Sequence, residues 1–130
     1  MEHKYSFEKL NVWQASKNLT LLIYRETRLF PSEEKFGLVS QMRRCAISVC
    51  SNWAEGSSRK SSKDQAHFYA MAYSSLIELL NQRIIAQELS ILPSDIYHSI
   101  RTDIEAISSQ ISSLRNSILK TKSAKRTLNL

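Results

Sequence analysis

Glycine and proline are scarce in this chain, with only two of each among 130 residues. Because these residues supply most tight turns, the connections must be few and the regular segments long, which excludes most all-β folds. The length is usual for one domain, and a hydrophobic content of 42% is enough to form a core. The sequence therefore predicts an all-α domain built from a few long helices.

Four amphipathic segments follow one another along the chain. Each carries apolar residues three and four positions apart, the spacing of one helix face. Short connections between segments of similar length favour an antiparallel, up-down-up-down four-helix bundle. The predicted helices cover about residues 8–29, 33–55, 62–90 and 94–118.

The ends of these segments carry specific signals. We expect Gly56 to end the second helix in the left-handed conformation. Ser62 and Gln65 have the spacing of a capping box, which would open the third helix. Residues 1–120 should form the bundle, and residues 121–130, which are basic and show little periodicity, are expected to form a disordered tail.

A polar stripe runs along the second predicted helix, beside its apolar face. The stripe lacks the Lys and Glu mixture of an ordinary solvated face, so it indicates hydrogen bonding to another helix. It would lie inside the bundle or between subunits. A ligand or catalytic site is a weaker alternative, because the stripe has no nucleophile with an adjacent base. Its members are Gln41, Arg44, Ser48, Asn52 and Glu55.

The thiols and histidines do not indicate a metal centre or a catalytic site. Cys45 and Cys50 point in different directions on one helix and are expected to be small buried residues. An enzymatic alternative starts from Asp64 with His67 and from Asp95 with His98, each one turn apart. Both pairs open their helices, whereas di-iron bundles place Glu-x-x-His in mid-bundle. We therefore expect no enzymatic activity, no cofactor and no metal.

No apolar run is long enough to span a membrane, and the N-terminus lacks the apolar core of a signal peptide. These features predict a soluble, cytoplasmic protein.

Positive charge is concentrated in two segments of the chain. The formal net charge is +6, whereas residues 41–63 alone carry +4 and residues 120–130 another +4. Such clusters favour binding of nucleic acid through phosphate contacts, without base readout. The alternative is a basic surface that serves only solubility. The candidate residues are Arg43, Arg59, Lys60, Lys63, Lys120, Lys122, Lys125 and Arg126.

Several short motifs resemble the bacterial four-helix bundle family encoded in intervening sequences of 23S rRNA genes, which also includes accessory proteins of diversity-generating retroelements. The resemblance covers about residues 7–118. It implies a homopentameric ring with a basic surface that engages RNA or DNA and a reverse transcriptase, and no enzymatic activity. The motifs are Leu10-x-Val12-Trp13, Phe30-Pro31, Gln41-x-x-Arg44, Asn52-x-Ala54-Glu55-Gly56 and Ala72-x-x-Ser75-Leu76-x-Glu78.

Glu78 is a lone carboxylate among apolar residues of the third predicted helix. Within a bundle, we expect it to pair with Arg44 of the second helix and to fix the register between the two. The alternative is a surface carboxylate with no relation to Arg44. A protein scaffold that recruits another protein and binds no nucleic acid remains the second functional hypothesis.

Overall fold

Four α-helices form the framework of the chain. The computed structural model describes the backbone of residues 2–128 and the side chains of residues 2–120. A 3-10 turn, Ser6–Lys9, precedes the first helix, and the described residues contain no β-strand. The predicted all-α, four-helix fold is confirmed. The helices are α1 (Asn11–Thr27), α2 (Ser40–Ser57), α3 (Ser62–Glu88) and α4 (Ser94–Leu128).

The segment that joins α1 to α2 is irregular. The predicted start of the second helix at residue 33 is wrong, because a 3-10 turn (Ser32–Glu34) and a wide helical turn (Lys35–Val39) come first. Gly37, with φ −108° and ψ −109°, breaks the helical geometry there. Regular α-helix therefore begins only at Ser40.

Adjacent helices run in opposite directions. Ser48 of α2 contacts Ser75 of α3, whereas Gln41, nearly two turns earlier, contacts Gln82, nearly two turns later. This reversed order is what an antiparallel pair requires, and the other neighbours show it as well. The contacts are Thr20 with Ala46 and Thr27 with Arg43 between α1 and α2, and Arg83 with Tyr97 between α3 and α4. Residues that line a common cleft follow the same order, with Ser74 and Ser112 between α3 and α4, and Val12 with Gln110 and Leu29 with Ile96 between α1 and α4.

α4 is the longest helix, with 35 residues. At about 1.5 Å per residue it is about 52 Å long, so it extends beyond the ends of the neighbouring helices. Its backbone stays helical past residue 120, where the sequence predicted a change to a tail, because residues 119–128 contain no Gly or Pro to end a helix. The side chains of residues 121–130 lie outside the described part of the structure.

A buried ion pair crosses the core between α1 and α3. Arg83 has no solvent-exposed surface, and its Nη2 donates to Oε1 of Glu26 at 2.8 Å. Arg83 also donates through Nη1 to the backbone oxygen of Tyr97 at 3.3 Å, and its guanidinium lies 5.5 Å from the Tyr97 ring centre. One side chain therefore ties α1, α3 and α4 together. The sequence did not reveal this pair, because Glu26 and Arg83 lie 57 positions apart.

Burial and the Arg83 contact act on the Glu26 carboxyl in opposite directions. Burial raises the pKa of Glu26 above its ordinary value of 4.5, and Arg83 only partly opposes that shift. Glu26 Oε2 and Arg83 Nε are buried and lack hydrogen-bond partners. A buried pair of this kind adds little net stability, but either charge is costly without the other.

Glycine at position 56 permits a close approach of α2 and α3. The predicted left-handed cap is wrong: Gly56 lies inside α2 and its φ is not positive. A Cβ there would lie 2.7 Å from Cε1 of Tyr69 and 2.9 Å from Cβ of Phe68. The sequence signal was real, but its cause is contact between helices and not chain reversal.

The left-handed residue lies instead at the end of α3. Ser90 has φ 62°, and its N–H donates to the Gln87 oxygen while the N–H of Ile91 donates to that of Ala86. These two bonds form a Schellman cap with serine at the position that favours glycine. At the other end of α3, Ser61 and not Ser62 is the N-cap, and its hydroxyl accepts from the N–H of Asp64 at 3.1 Å.

Replacement of Arg83 by Met should lower the free energy of unfolding at pH 7 by about 3–5 kcal/mol, because Glu26 would remain buried without a cation. The variant raises the folded-state pKa of Glu26 further, so the folded state binds the proton more tightly than the unfolded state. Stability is then greatest below the unfolded pKa and falls as pH rises through the folded-state pKa. Urea unfolding from pH 7 down to about 4.5 should show the deficit shrinking.

Arg101→Met is the matched control for this prediction. Arg101 pairs with Glu105 at 3.0 Å on the surface, where an ion pair contributes little to stability. Equal losses in the two variants would contradict the assigned role of Arg83.

Gly56→Ala should destabilise the protein by about 1–3 kcal/mol, because the added methyl group overlaps the Tyr69 ring. Urea denaturation measures the loss. The same change in a Tyr69→Leu background should be less harmful, and equal losses in both backgrounds would show that the ring does not set the requirement for glycine.

Ser90→Gly should stabilise the protein by about 1 kcal/mol, since glycine adopts positive φ without a steric penalty. Ser58→Gly is the control, because Ser58 has an ordinary φ of −85° at the end of α2. A thermal melt that shows no gain for Ser90→Gly would contradict the assigned strain.

Candidate nucleic-acid interface

The α2–α3 loop and the first turn of α3 present three cations to solvent. Arg59, Lys60 and Lys63 are all exposed. The guanidinium of Arg59 lies 4.6 Å from the Phe68 ring centre, and its backbone oxygen accepts from Nε2 of Gln65 at 3.0 Å. Stacking and this hydrogen bond restrain the loop, so Arg59 projects a planar donor group from a fixed position.

The bundle topology brings other basic residues to the same end. Ser6 contacts Ser57 at 3.5 Å, so the chain start lies beside the end of α2. Between α3 and α4, Ser74 and Ser112 line one cleft, and the same antiparallel register carries Lys120 to the level of the first turn of α3. We call this region the basic end. Its described cations are Lys9, Arg59, Lys60, Lys63, Arg115 and Lys120.

Positive charge dominates the basic end. Its six named cations face three carboxylates on the same segments, those of Glu8, Glu55 and Asp64. Lys9 and Arg115 were not among the sequence candidates, because neither lies in a basic run. Only the antiparallel register brings them toward this end of the bundle. Lys122, Lys125 and Arg126 belong to the same helix, and their side chains lie outside the described residues.

Arg43 does not belong to the basic end. It lies near the start of α2, where Nε donates to the Thr27 hydroxyl at 2.9 Å and Nη2 donates to the backbone oxygen of Tyr24 at 3.2 Å. Its guanidinium also lies 4.5 Å from the Tyr24 ring centre. The structure therefore separates Arg43 from the other candidates and uses it to bind the Tyr24 carbonyl and the Thr27 hydroxyl in the last turn of α1.

The polar stripe of α2 lies along the seam with α3. The Ser48 and Ser75 hydroxyls are 2.8 Å apart, and Asn52 Nδ2 donates to the backbone oxygen of Ser48 at 2.9 Å. Nε2 of Gln82 lies 3.5 Å from both Gln41 Oε1 and Cys45 Sγ. Part of the stripe is thus satisfied within one subunit. Glu55 and Arg44 are exposed, at the outer edge of this seam.

The predicted Arg44–Glu78 ion pair is wrong. Within the described side chains, the ion pairs shorter than 4.0 Å are Glu26–Arg83 and Arg101–Glu105. Arg44 and Glu78 are both exposed to solvent, and Glu78 lies within hydrogen-bonding reach of the Cys45 thiol instead of pairing with Arg44. The register is fixed by the pair deeper in the core.

The two thiols differ in exposure. Cys45 is buried as predicted, whereas Cys50 is only half-buried and lies 3.4 Å from the Thr20 hydroxyl. Burial raises the pKa of both thiols, which disfavours the reactive thiolate.

Two general features of the described residues bear on function. No group of three or more His, Cys, Asp or Glu side chains is placed to hold a metal ion there. In the same part of the chain, no helix combines the length and apolar character needed to cross a membrane.

The fold and the charge distribution define the class of protein, a basic antiparallel four-helix bundle. Residues 8–113 match the family of 23S rRNA-intervening sequence proteins. The matched residues make up most of the chain. The protein belongs to this family. No curated protein shows significant sequence similarity to it.

Proposed function

We propose that the protein is a non-enzymatic homo-oligomer, a pentamer, that binds RNA or DNA through phosphate contacts at the basic end. The observation that carries this proposal is the convergence of separate basic segments at one end of the bundle. Lysine and arginine at that end match the negative phosphate backbone, which every sequence shares. Binding is therefore expected to be independent of sequence.

Assembly strengthens such a surface. In a ring, each basic end is repeated around the symmetry axis, and a long polyanion contacts several copies at once. Weak patches held rigidly together bind with an avidity that exceeds that of one patch by orders of magnitude. Support for assembly comes from exposed apolar residues on α3, among them Ile77 and Ile84, and from the family resemblance of the sequence motifs, which implies a pentamer.

Around the α2–α3 loop, the surface chemistry favours phosphate contacts over base stacking. Phe68, the aromatic residue nearest the loop, is half-buried and its ring is covered by Arg59. Trp53 and Tyr69, also near this end, are buried and pack on each other with ring centres 4.5 Å apart. These rings are therefore unavailable for stacking on bases, while the lysines remain free to follow the backbone.

The biological setting that fits this binding is an accessory role in a complex that contains RNA or a reverse transcriptase. The resemblance to retroelement accessory proteins is the support for that role. A protein-recruiting scaffold without nucleic-acid binding is the second candidate. It is favoured by Leu29 and Phe36, which are 83% and 89% exposed at the end of the bundle opposite the basic end.

A salt titration tests the main proposal. The wild-type protein should bind mixed-sequence RNA and DNA, with log K falling linearly against log salt by about 0.9 for each duplex phosphate neutralised, or about 0.7 on single strands. The Arg59→Ala/Lys60→Ala/Lys63→Ala variant should bind more weakly and show a shallower slope. Fluorescence anisotropy at a series of salt concentrations measures both.

The matched control removes three cations away from the basic end, as Lys17→Ala/Arg28→Ala/Lys35→Ala. This variant loses the same net charge, so it should retain most of the wild-type slope if the position of the charge matters. Equal weakening in both triple variants would indicate only a general charge effect. No binding by the wild type at about 50 mM salt would overturn the proposal and favour the protein scaffold.

A further inference from the structure

The seam between α1 and α4 is an open groove along most of the bundle. Three clefts of about 600, 320 and 390 Å³ follow one another along it. The first two share Gln110, and the second and third share Leu22 and Asp103, so the clefts are continuous. Unlike the seam between α2 and α3, this one leaves room between its helices for a further element.

The α1 side of this groove has a regular period. The α1 lining residues that are not buried alternate four and three positions apart, the spacing that keeps one helix face directed at another helix. They are Asn11, Ala15, Asn18, Leu22, Arg25 and Leu29. On α4 the lining has the same period and includes Ser99, Ala106 and Ser113. Such small side chains let the backbone of another helix approach closely.

An unpaired stripe with the matching period lies on α3. Ser74, Ile77, Asn81, Ile84 and Glu88 are all exposed and alternate three and four positions apart. We call this stripe the α3 ridge. Ile77 is 41% and Ile84 38% exposed, and Tyr73 and Ile85 extend the apolar surface on its flanks. A helix that is apolar on its outer as well as its inner face is typical of one that is buried on both sides.

We propose that the α3 ridge of one copy of the chain docks into the α1–α4 groove of the next copy. This inference rests on the homo-oligomer of the proposed function and specifies its interface. Large side chains on the ridge complement small ones in the groove. The amide of Asn81 and the hydroxyl of Ser74 complement Asn18 and Gln110, which would otherwise line an apolar contact.

Charge and direction agree with this arrangement. Glu88 ends the ridge and Arg25 lies in the groove, both at the end of the bundle opposite the basic end. Copies that point the same way therefore bring Glu88 toward the end of the groove that holds Arg25, with Asp103 on the α4 side of the same cleft, whereas inverted copies do not. The complementarity of two faces of one chain identifies a second copy, and not an unrelated protein, as the occupant.

The geometry also favours closure into a ring. A ridge that meets a different surface makes a head-to-tail contact, which repeats until it closes or extends as a filament. α3 is adjacent to α4 in the bundle, so the ridge and the groove are not on diametrically opposite sides. Successive copies therefore turn about an axis, and every basic end faces the same side of the ring.

Complementary interface variants test this inference. Ile77→Glu/Ile84→Glu removes the ridge and leaves the groove intact, whereas Ala106→Arg blocks the groove and leaves the ridge intact. Light scattering should show each variant alone as a 15.0 kDa monomer. An equimolar mixture should form only a dimer, because one functional groove meets one functional ridge. If the interface instead joined the same surface of two copies, mixing the two variants would not restore association.

Leu21→Glu is the matched control, since Leu21 is 49% exposed on α1 and lies outside both surfaces. It should retain the wild-type mass. Circular dichroism checks folding, and Ile77→Gln/Ile84→Gln replaces the charged ridge variant if that variant is unfolded. A monomeric wild type would overturn both the oligomer and this interface. A wild-type oligomer that survives the ridge and groove changes, or a mixture that stays monomeric, would overturn the interface alone.

Discussion

The buried Glu26–Arg83 pair constrains how the helices are aligned. Two charges in the core tolerate only arrangements in which they meet, since separation leaves each without water or a partner. Arg83 also donates to the Tyr97 carbonyl, so the pair fixes the level of α3 against both α1 and α4. Apolar contacts alone would allow neighbouring registers of similar energy, because Leu and Ile are interchangeable along a seam. The pair therefore contributes more to the choice of one helix register than to the free energy of folding.

The chain topology follows from that register and determines the electrostatics. Antiparallel neighbours place the α2–α3 loop, the start of α1 and the far part of α4 at one end of the bundle. Basic residues that are far apart in sequence, such as Lys9, Arg59 and Lys120, are brought to a common surface as a result. Arg43 shows the converse. It belongs to a basic stretch of sequence, but near the start of α2 it binds a hydroxyl and a carbonyl at the end of α1. Charge density along a sequence is therefore a poor guide to charge density on a surface.

The unequal packing of the four seams has a function in the proposed assembly. α2 and α3 approach closely at Gly56, with serine and amide contacts along their length. α1 and α4 diverge and leave a groove, while α3 retains an apolar outer face. A bundle that satisfied all its apolar surface internally would have no reason to associate. Here the helices pack tightly at the α2–α3 seam and leave space at the α1–α4 seam. The α3 ridge and the α1–α4 groove, which remain exposed, have the same helical period.

The sequence by itself determined the helix class, the order of the four segments and the polar stripe, because periodicity and the scarcity of Gly and Pro act locally. The glycine at position 56 predicted a helix end, but its cause is the close contact with Tyr69. The sequence cannot separate these two causes, because a tight turn and a close helix contact both favour glycine. It could not locate the Glu26–Arg83 pair or exclude the Arg44–Glu78 pair. Both depend on which faces meet after folding, and any exposed carboxylate on α3 was an equally plausible partner. Only the tertiary structure decided the register, the fate of Arg43 and the membership of the basic end, because each is set by distances between residues that the chain itself keeps far apart.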